Sequence, residues 1–208
     1  MTERSTNKER FIAHLERLAG VALERDDDSS KRGGRSGENR AALAALRRGL
    51  GREGGAWETY PTVMPFVRKD ASRAEETAYF IVGALFGLNP SPSWRRSDIE
   101  DRRATNFGAS LAILKNKNPE SDSVERRFVA LLNAEAEDLP IHLRHAVSLI
   151  KSSDSPVPVD WLSLLNDLTW WESENREVQR RWARAFWRVE NDDQDNDSEK
   201  TEEQVNED

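Results

Sequence analysis

Apolar residues recur at helical spacing along most of the chain. Phe11, Leu15 and Leu18 follow one another at intervals of four and three residues and predict an amphipathic helix over residues 7–24. The same periodicity predicts further helices over residues 38–48, 104–115, 123–135, 139–151, 158–171 and 175–189. No segment alternates with a period of two for long, so we expect an all-α protein.

Residues 74–88 are apolar on nearly every side, which predicts a buried helix at the centre of the first half of the chain. Gly83 and Gly87 would let neighbouring helices approach it closely. Its apolar run TAYFIVGALFGL is shorter than the roughly 20 residues that a membrane helix needs, so we expect no membrane partner. Before it, WETYPTVMPFV holds two prolines and predicts a turn packed onto the core.

The helices are expected to form two small bundles packed together. The polar loop at residues 115–122 is the best candidate boundary, giving an N-terminal bundle over 1–116 and a C-terminal bundle over 117–188. Residues 25–39 are rich in glycine, serine and charge and predict a flexible loop. Residues 189–208 hold ten acidic side chains and one lysine, which predicts a disordered acidic tail.

The negative charge of the acidic tail outweighs a small positive charge on the rest of the chain. The whole chain carries a formal charge of -7, and the tail alone contributes -9, so residues 1–188 carry +2. The chain has no cysteine, which excludes disulfides, thiolate zinc sites and cysteine nucleophiles. Because cysteine-free chains suit a reducing compartment and no signal peptide opens this one, we expect a cytoplasmic protein.

Two adjacent arginines in the segment VERRFVALL point in different directions. On a helical wheel one apolar face is formed by Val124, Phe128, Leu131 and Leu132. Arg127 lies at the edge of that face and can lay its stem along the core, whereas Arg126 points nearly opposite. Both guanidinium groups are therefore candidates for contact with a partner.

Two other helices carry basic residues beside their apolar faces. Arg144 and Lys151 fall on one flank of the helix at 139–151, and Arg40 and Arg47 line a flank of the helix at 38–48, with Arg48 one step further round. A solvated helix usually interleaves both signs of charge. Along these flanks, however, no carboxylate is placed to pair with the basic residues. The pattern favours contact with nucleic-acid phosphates over ordinary surface charge.

The last helix serves as a contrast. Its arginines lie opposite an apolar face, but Glu177 precedes Arg181 by four residues, the favoured order for an ion pair along a helix. A solvated face is therefore at least as good an interpretation here.

Residues for catalysis or metal binding are sparse. The motif HLRH places His142 and His145 at i and i+3, but no third ligand stands at motif spacing, and neither HExxH nor GxxxxGK occurs. The residues describe a binding protein without catalytic activity or cofactor. Three tryptophans fit apolar helix faces and are expected in the core, namely Trp161, Trp171 and Trp182. Four others could pack or stack bases: Trp57, Trp94, Trp170 and Trp187.

Several segments together resemble one known family. They are LAALRRGLG, ETAYFIVGALFGL, NFGASLAIL, SVERRFVALLNAEAEDLPIHLRHAVSLIKS and PVDWLSLLNDLTWWESENREVQRRWARAFW, and they cover most of residues 38–188. In this order and spacing they resemble the CasB family, the small subunit of the type I-E CRISPR surveillance complex, Cascade.

The resemblance implies a fold of two helical bundles without catalytic activity, present in more than one copy in an antiviral complex. Guide RNA, target DNA, other Cascade subunits and a second copy of the chain would be its partners, and basic side chains would support the displaced strand of the R-loop. The matching basic positions are Arg47, Arg48, Arg73, Arg127 and Arg144. His145 stands where a second arginine can occur in the family, so charge at this position depends on pH.

Two other functions compete with this one. A structural adaptor would use the same basic flanks to bind acidic protein surfaces, and the salt dependence of nucleic-acid binding separates the two. A metal-dependent nuclease is disfavoured because the sequence lacks ligands at suitable spacing.

Overall fold

The computed structural model describes residues 6–21, 37–51, 56–94, 105–117 and 122–188. Within these ranges the backbone forms helices and no strand, and its one extended pairing is an isolated parallel bridge between Ser93 and Val159. The all-α prediction is confirmed. The acidic tail and residues 25–36 of the predicted loop lie outside the described residues, whereas Gly37 already begins a helix.

All but one of the predicted helices have bounds within three residues of those observed; the first helix ends at Ala19 instead of residue 24, because Gly20 adopts a left-handed conformation that caps it. In chain order the helices are α1 (Asn7–Ala19), α2 (Gly37–Arg48), α3 (Tyr60–Val63), α4 (Arg73–Leu88), α5 (Phe107–Lys117), α6 (Ser123–Leu132), α7 (Leu139–Ser152), α8 (Trp161–Thr169) and α9 (Glu177–Arg188). The segment WETYPTVMPFV was expected to form a turn, but it forms α3 flanked by 3-10 turns at Trp57–Thr59 and Met64–Phe66. Proline is tolerated in the first turn of each short helix, where its missing N–H has no partner to lose.

Side-chain caps explain where several helices begin. The Thr6 hydroxyl accepts a hydrogen bond from the Glu9 N–H at 3.3 Å, and the Glu9 carboxylate accepts one from the Thr6 N–H at 2.7 Å. Such a reciprocal pair satisfies two backbone donors that the first helical turn leaves open. Ser72 caps α4 in the simpler way, through the Glu75 N–H at 3.1 Å.

The apolar helix α4 lies at the centre of the molecule, as its sequence predicts. It packs against α2, α7 and α8, and all its residues from Ala78 to Gly87 are buried. A Cβ at Gly87 would lie 2.9 Å from the Leu43 carbonyl oxygen and 3.0 Å from the Arg47 backbone nitrogen. Glycine is therefore required where α2 crosses the end of α4.

Two groups of helices surround one continuous core. The first contains α1, α2 and α4, while α5, α6, α7 and α9 pack together in the second. Helix α8 packs against α1 and α4, and the contact between α4 and α7 joins the two groups. Helix α5, placed by the sequence analysis in the first bundle, contacts α6, α7 and α9, and the domain boundary after residue 116 stays a prediction.

A buried carboxylate ties α8 to α9 and corrects one expected ion pair. Arg181 was expected to pair with Glu177, but its guanidinium pairs with Asp167 on α8. Asp167 also accepts a hydrogen bond from Trp182 Nε1 at 2.6 Å. Burial raises the pKa of Asp167, although these two donors act in the opposite direction.

Candidate nucleic-acid interface

The basic flank of α2 forms as the helical wheel predicts. Leu43 and Leu46 are buried against the core, while Arg40, Arg47 and Arg48 are exposed. The last two arginines lie in the final turn of α2, where a cation also interacts favourably with the helix dipole. The segment therefore presents three guanidinium groups on a helix whose opposite face is anchored.

Arg40 and Arg47 line an open groove together with Lys151 from α7. The groove has a volume of about 280 Å³. Its remaining walls come from the apolar side of α2 and the end of α4, through Leu43, Ala44, Gly87, Leu88 and Pro90. The close crossing of α2 over Gly87 and the packing of α7 against α4 together unite basic residues that lie more than 100 positions apart in sequence.

Among the described residues, every charged side chain that lines the groove is basic. None of the eight residues that line it is acidic. Within the described part of the chain, Arg40, Arg47 and Lys151 form no salt bridge with a carboxylate. Unpaired guanidinium groups can form two parallel hydrogen bonds with a phosphate, and a lysine supplies a further point charge. The groove is therefore suited to an anionic chain.

Helix α7 extends the basic surface away from the groove. Arg144, Ser148 and Lys151 are all exposed at the predicted spacing of four and three residues, while Leu143 and Val147 are buried. Lys151 lies at the groove and Arg144 about two turns before it along α7. His145 is exposed beside Arg144 but does not line the groove.

The remaining predicted residues stand apart from the groove. Arg126 and Arg127 are exposed on α6, and Arg127 Nη1 donates a hydrogen bond to the Ser123 carbonyl at 3.4 Å. Arg73 is exposed at the first position of α4, and Arg48 is not among the residues that line the groove. The structure thus unites three of the nine predicted contact residues in one depression.

Other cations of the second group already have protein partners. Lys115 pairs with Glu125 at 3.1 Å and lies over the Phe186 ring at 5.5 Å from its centroid. The hydrogen bond from Lys115 lowers the pKa of Glu125. Lys117 donates to the Pro156 carbonyl at 2.8 Å. These contacts distinguish structural cations from those of the groove.

The tryptophans divide between core and surface. Trp161, Trp171 and Trp182 are buried, which confirms the prediction for these three. Trp57 and Trp170 are highly exposed, whereas Trp187 is partly exposed and donates through Nε1 to Glu125 at 3.3 Å. Trp94 is partly buried and its backbone N–H bonds the Val159 carbonyl at 2.8 Å.

Sequence reasoning missed the apolar floor of the groove. Leu88 was predicted only as the last residue of the central helix, yet it lines the depression together with Pro90, beside the basic side chains. Their nearness to Gly87, which marks a close helix crossing, is the signal that could have found them.

Two other kinds of site are absent from the described residues. Among the described residues no cluster of three or more His, Cys, Asp or Glu side chains is arranged to hold a metal ion. None of the described helices is long and apolar enough to cross a membrane.

Comparisons with known proteins agree on one family. The model of the CRISPR-associated protein Cse2 family matches residues 42–187. This range includes Arg47, Gly87 and Lys151, while Arg40 lies just before it. A Cse2 protein from Thermus thermophilus is 37% identical over 150 residues, which are 71% of this chain and 79% of the relative.

Solved structures share the fold. A crystal structure of a Cse2-family protein from Thermus thermophilus has a TM-score of 0.65 and 31% identity, covering 88% of this chain and 99% of the other. A chain of a CRISPR RNA-guided surveillance complex has a TM-score of 0.63 and 26% identity, covering 88% and 92%. With a family match over most of its length, the chain belongs to the Cse2 family of CRISPR-associated proteins, also called CasB.

Proposed function

We propose that this chain is the non-catalytic small subunit of a type I-E Cascade complex, where it grips guide RNA, target DNA and the displaced strand of the R-loop. Its family membership and its likeness to a chain of a CRISPR RNA-guided surveillance complex support this proposal. Other Cascade subunits and a second copy of the chain are the proposed protein partners.

The groove between α2 and α7 is the observation that carries the proposal. Arg40, Arg47 and Lys151 converge there without an acidic neighbour among the lining residues. Such an arrangement recognises backbone phosphates without reading bases, as expected for a protein that leaves sequence recognition to base pairing. Arg144 and Arg127 would extend the same grip along the surface, and so would the other exposed basic residues, namely Arg48, Arg73, Arg126 and His145.

A salt series tests the proposal. Binding of the full chain to fluorescent single-stranded and duplex DNA is measured for the wild type, Arg47→Ala, Lys151→Ala and the double variant. Each lost phosphate contact should make the slope of log affinity against log salt shallower by about 0.9 for duplex and about 0.7 for single strands. Each single variant should bind about tenfold more weakly, because a charge-assisted hydrogen bond contributes about 1.5 kcal/mol.

Arg68 supplies a matched control. It is an exposed arginine that already pairs with Asp70 at 3.5 Å and Glu75 at 3.7 Å. Arg68→Ala should therefore leave the salt slope unchanged. If the groove variants behave like this control, or the wild type does not bind DNA at low salt, a structural adaptor that meets acidic protein surfaces becomes the better account.

A further inference from the structure

Trp57 presents an indole ring to solvent on an aromatic support. Its side chain is 80% exposed, unlike the tryptophans of the core. The ring packs on Tyr60 with 4.8 Å between centroids, and Tyr60 packs in turn on Phe80, a buried residue of α4, at 5.1 Å. One side of the indole is therefore backed by a column of rings that reaches the core.

The backbone around Trp57 is also firmly held. Thr59 is buried, and its hydroxyl donates to the Ala56 carbonyl at 2.6 Å. Pro61 and Pro65 restrict the backbone in the two short helices that follow. Because these contacts restrict the segment, a partner that binds the indole has little conformational entropy left to remove.

The turn that carries Trp57 packs directly against the basic end of α2, which is the last helical turn with Arg47 and Arg48. Gly49 immediately follows Arg48, and a Cβ at this glycine would lie 3.1 Å from Thr59 Cγ2 and 3.6 Å from the Ala56 nitrogen. The exposed indole and the last turn of α2 therefore belong to one end of the molecule. An apolar ring at the same end of the molecule as exposed guanidinium groups complements a ligand that has both flat apolar faces and negative charge.

We propose that Trp57 is a stacking platform for one unpaired base of a single-stranded nucleic acid whose phosphates contact the basic end of α2. This inference rests on the proposed function and adds to it a preference for single strands over duplexes. A base inside a duplex is covered on both faces by its neighbours, whereas an unpaired base has a free face to place on the indole. The site would thus favour a displaced strand over a duplex.

Two oligonucleotides separate stacking from phosphate contact. The full chain is titrated with fluorescent oligothymidine and with an abasic oligonucleotide of equal length, for the wild type, Trp57→Ala and Trp57→Phe. We expect Trp57→Ala to lower the affinity for oligothymidine about tenfold, within the range of base stacking on an aromatic side chain. Trp57→Phe should keep most of the affinity, and binding of the abasic strand should not change.

The salt slope gives a second, independent readout. Stacking releases no counterions, so Trp57→Ala should lower affinity while leaving the slope of log affinity against log salt as it is in the wild type. Arg47→Ala should both lower the affinity and make this slope shallower, for both oligonucleotides. This contrast distinguishes the loss of one stacking contact from a general disruption of the binding surface.

Trp170 is the matched control. Its side chain is 68% exposed at the end of α8, but the residues that follow include the exposed acids Glu172 and Glu174. Trp170→Ala should not affect binding of either oligonucleotide. The inference is overturned if Trp57→Ala matches this control, if it weakens abasic binding equally, or if its melting temperature falls with its affinity.

The proposed function and this inference fail in different ways. Absence of wild-type binding at low salt would overturn both. If the groove variants change the salt slope as expected while Trp57→Ala binds oligothymidine like the wild type, only the stacking platform is wrong, and the indole would instead meet an apolar side chain of a protein partner.

Discussion

Gly108 lies in the contact between α5 and α9, where an added methyl group has no room. A Cβ at this position would lie 2.2 Å from the Trp182 carbonyl oxygen and 2.8 Å from its carbonyl carbon and Cα. These are backbone atoms and cannot rotate aside. In Gly108→Ala the two helices must therefore separate by about 1 Å, a gap that forfeits a quarter to a half of the dispersion energy of the contacting atoms.

The expected loss of stability follows from two opposing effects. Overpacking costs up to about 3 kcal/mol, and the backbone clash places Gly108→Ala at the upper end of that range. Alanine in a helix recovers about 1 kcal/mol relative to glycine. The free energy of unfolding should thus fall by about 2 kcal/mol, which lowers the melting temperature by about 4–8 °C for a chain of this size.

Thermal unfolding followed by circular dichroism measures this loss against Gly37→Ala. Apart from the chain neighbours and backbone of its own helix, no described atom lies within 4 Å of a Cβ at Gly37, so that variant should change stability by less than about 0.5 kcal/mol. Gly87→Ala should fall between the two, because its nearest backbone contact is 2.9 Å. Equal melting temperatures for Gly108→Ala and Gly37→Ala would show that α5 and α9 do not approach this closely.

Three further predictions concern charged and polar side chains. Arg127→Ala and Arg144→Ala should each weaken nucleic-acid binding with little change in melting temperature, because both guanidinium groups are exposed; a matching loss of stability would make these arginines structural. Asp167→Ala should lower the free energy of unfolding in urea by about 2–3 kcal/mol, since the buried Trp182 Nε1 loses its acceptor. A wild-type midpoint would contradict this assignment. Burial lowers the pKa of His14, so the unfolded chain binds a proton more readily, and stability should fall as the pH decreases below about 6.5. His14→Phe should flatten that dependence, and an unchanged pH profile would show that His14 does not cause it.

Helix positions and inward faces could be predicted from the sequence because they depend on local spacing. In α6 the structure buries Val124, Phe128 and Leu131 and exposes Arg126 and Arg127, as the helical wheel indicates. The segment that was predicted as a turn but forms helical turns has no clear periodicity. The proline-containing segment at 57–67 forms short helical turns, because proline at the start of a helix removes no needed hydrogen bond.

The sequence by itself determined an all-α chain, a glycine-marked central helix and basic flanks on α2 and α7, since each follows from the periodicity of one segment. Only the tertiary structure decided that Lys151 joins Arg40 and Arg47 in one groove, and that Arg181 pairs with Asp167. A helical wheel gives the direction of a side chain around its own helix. It contains no information about which other helix lies opposite, because that depends on how distant apolar faces pack into one core.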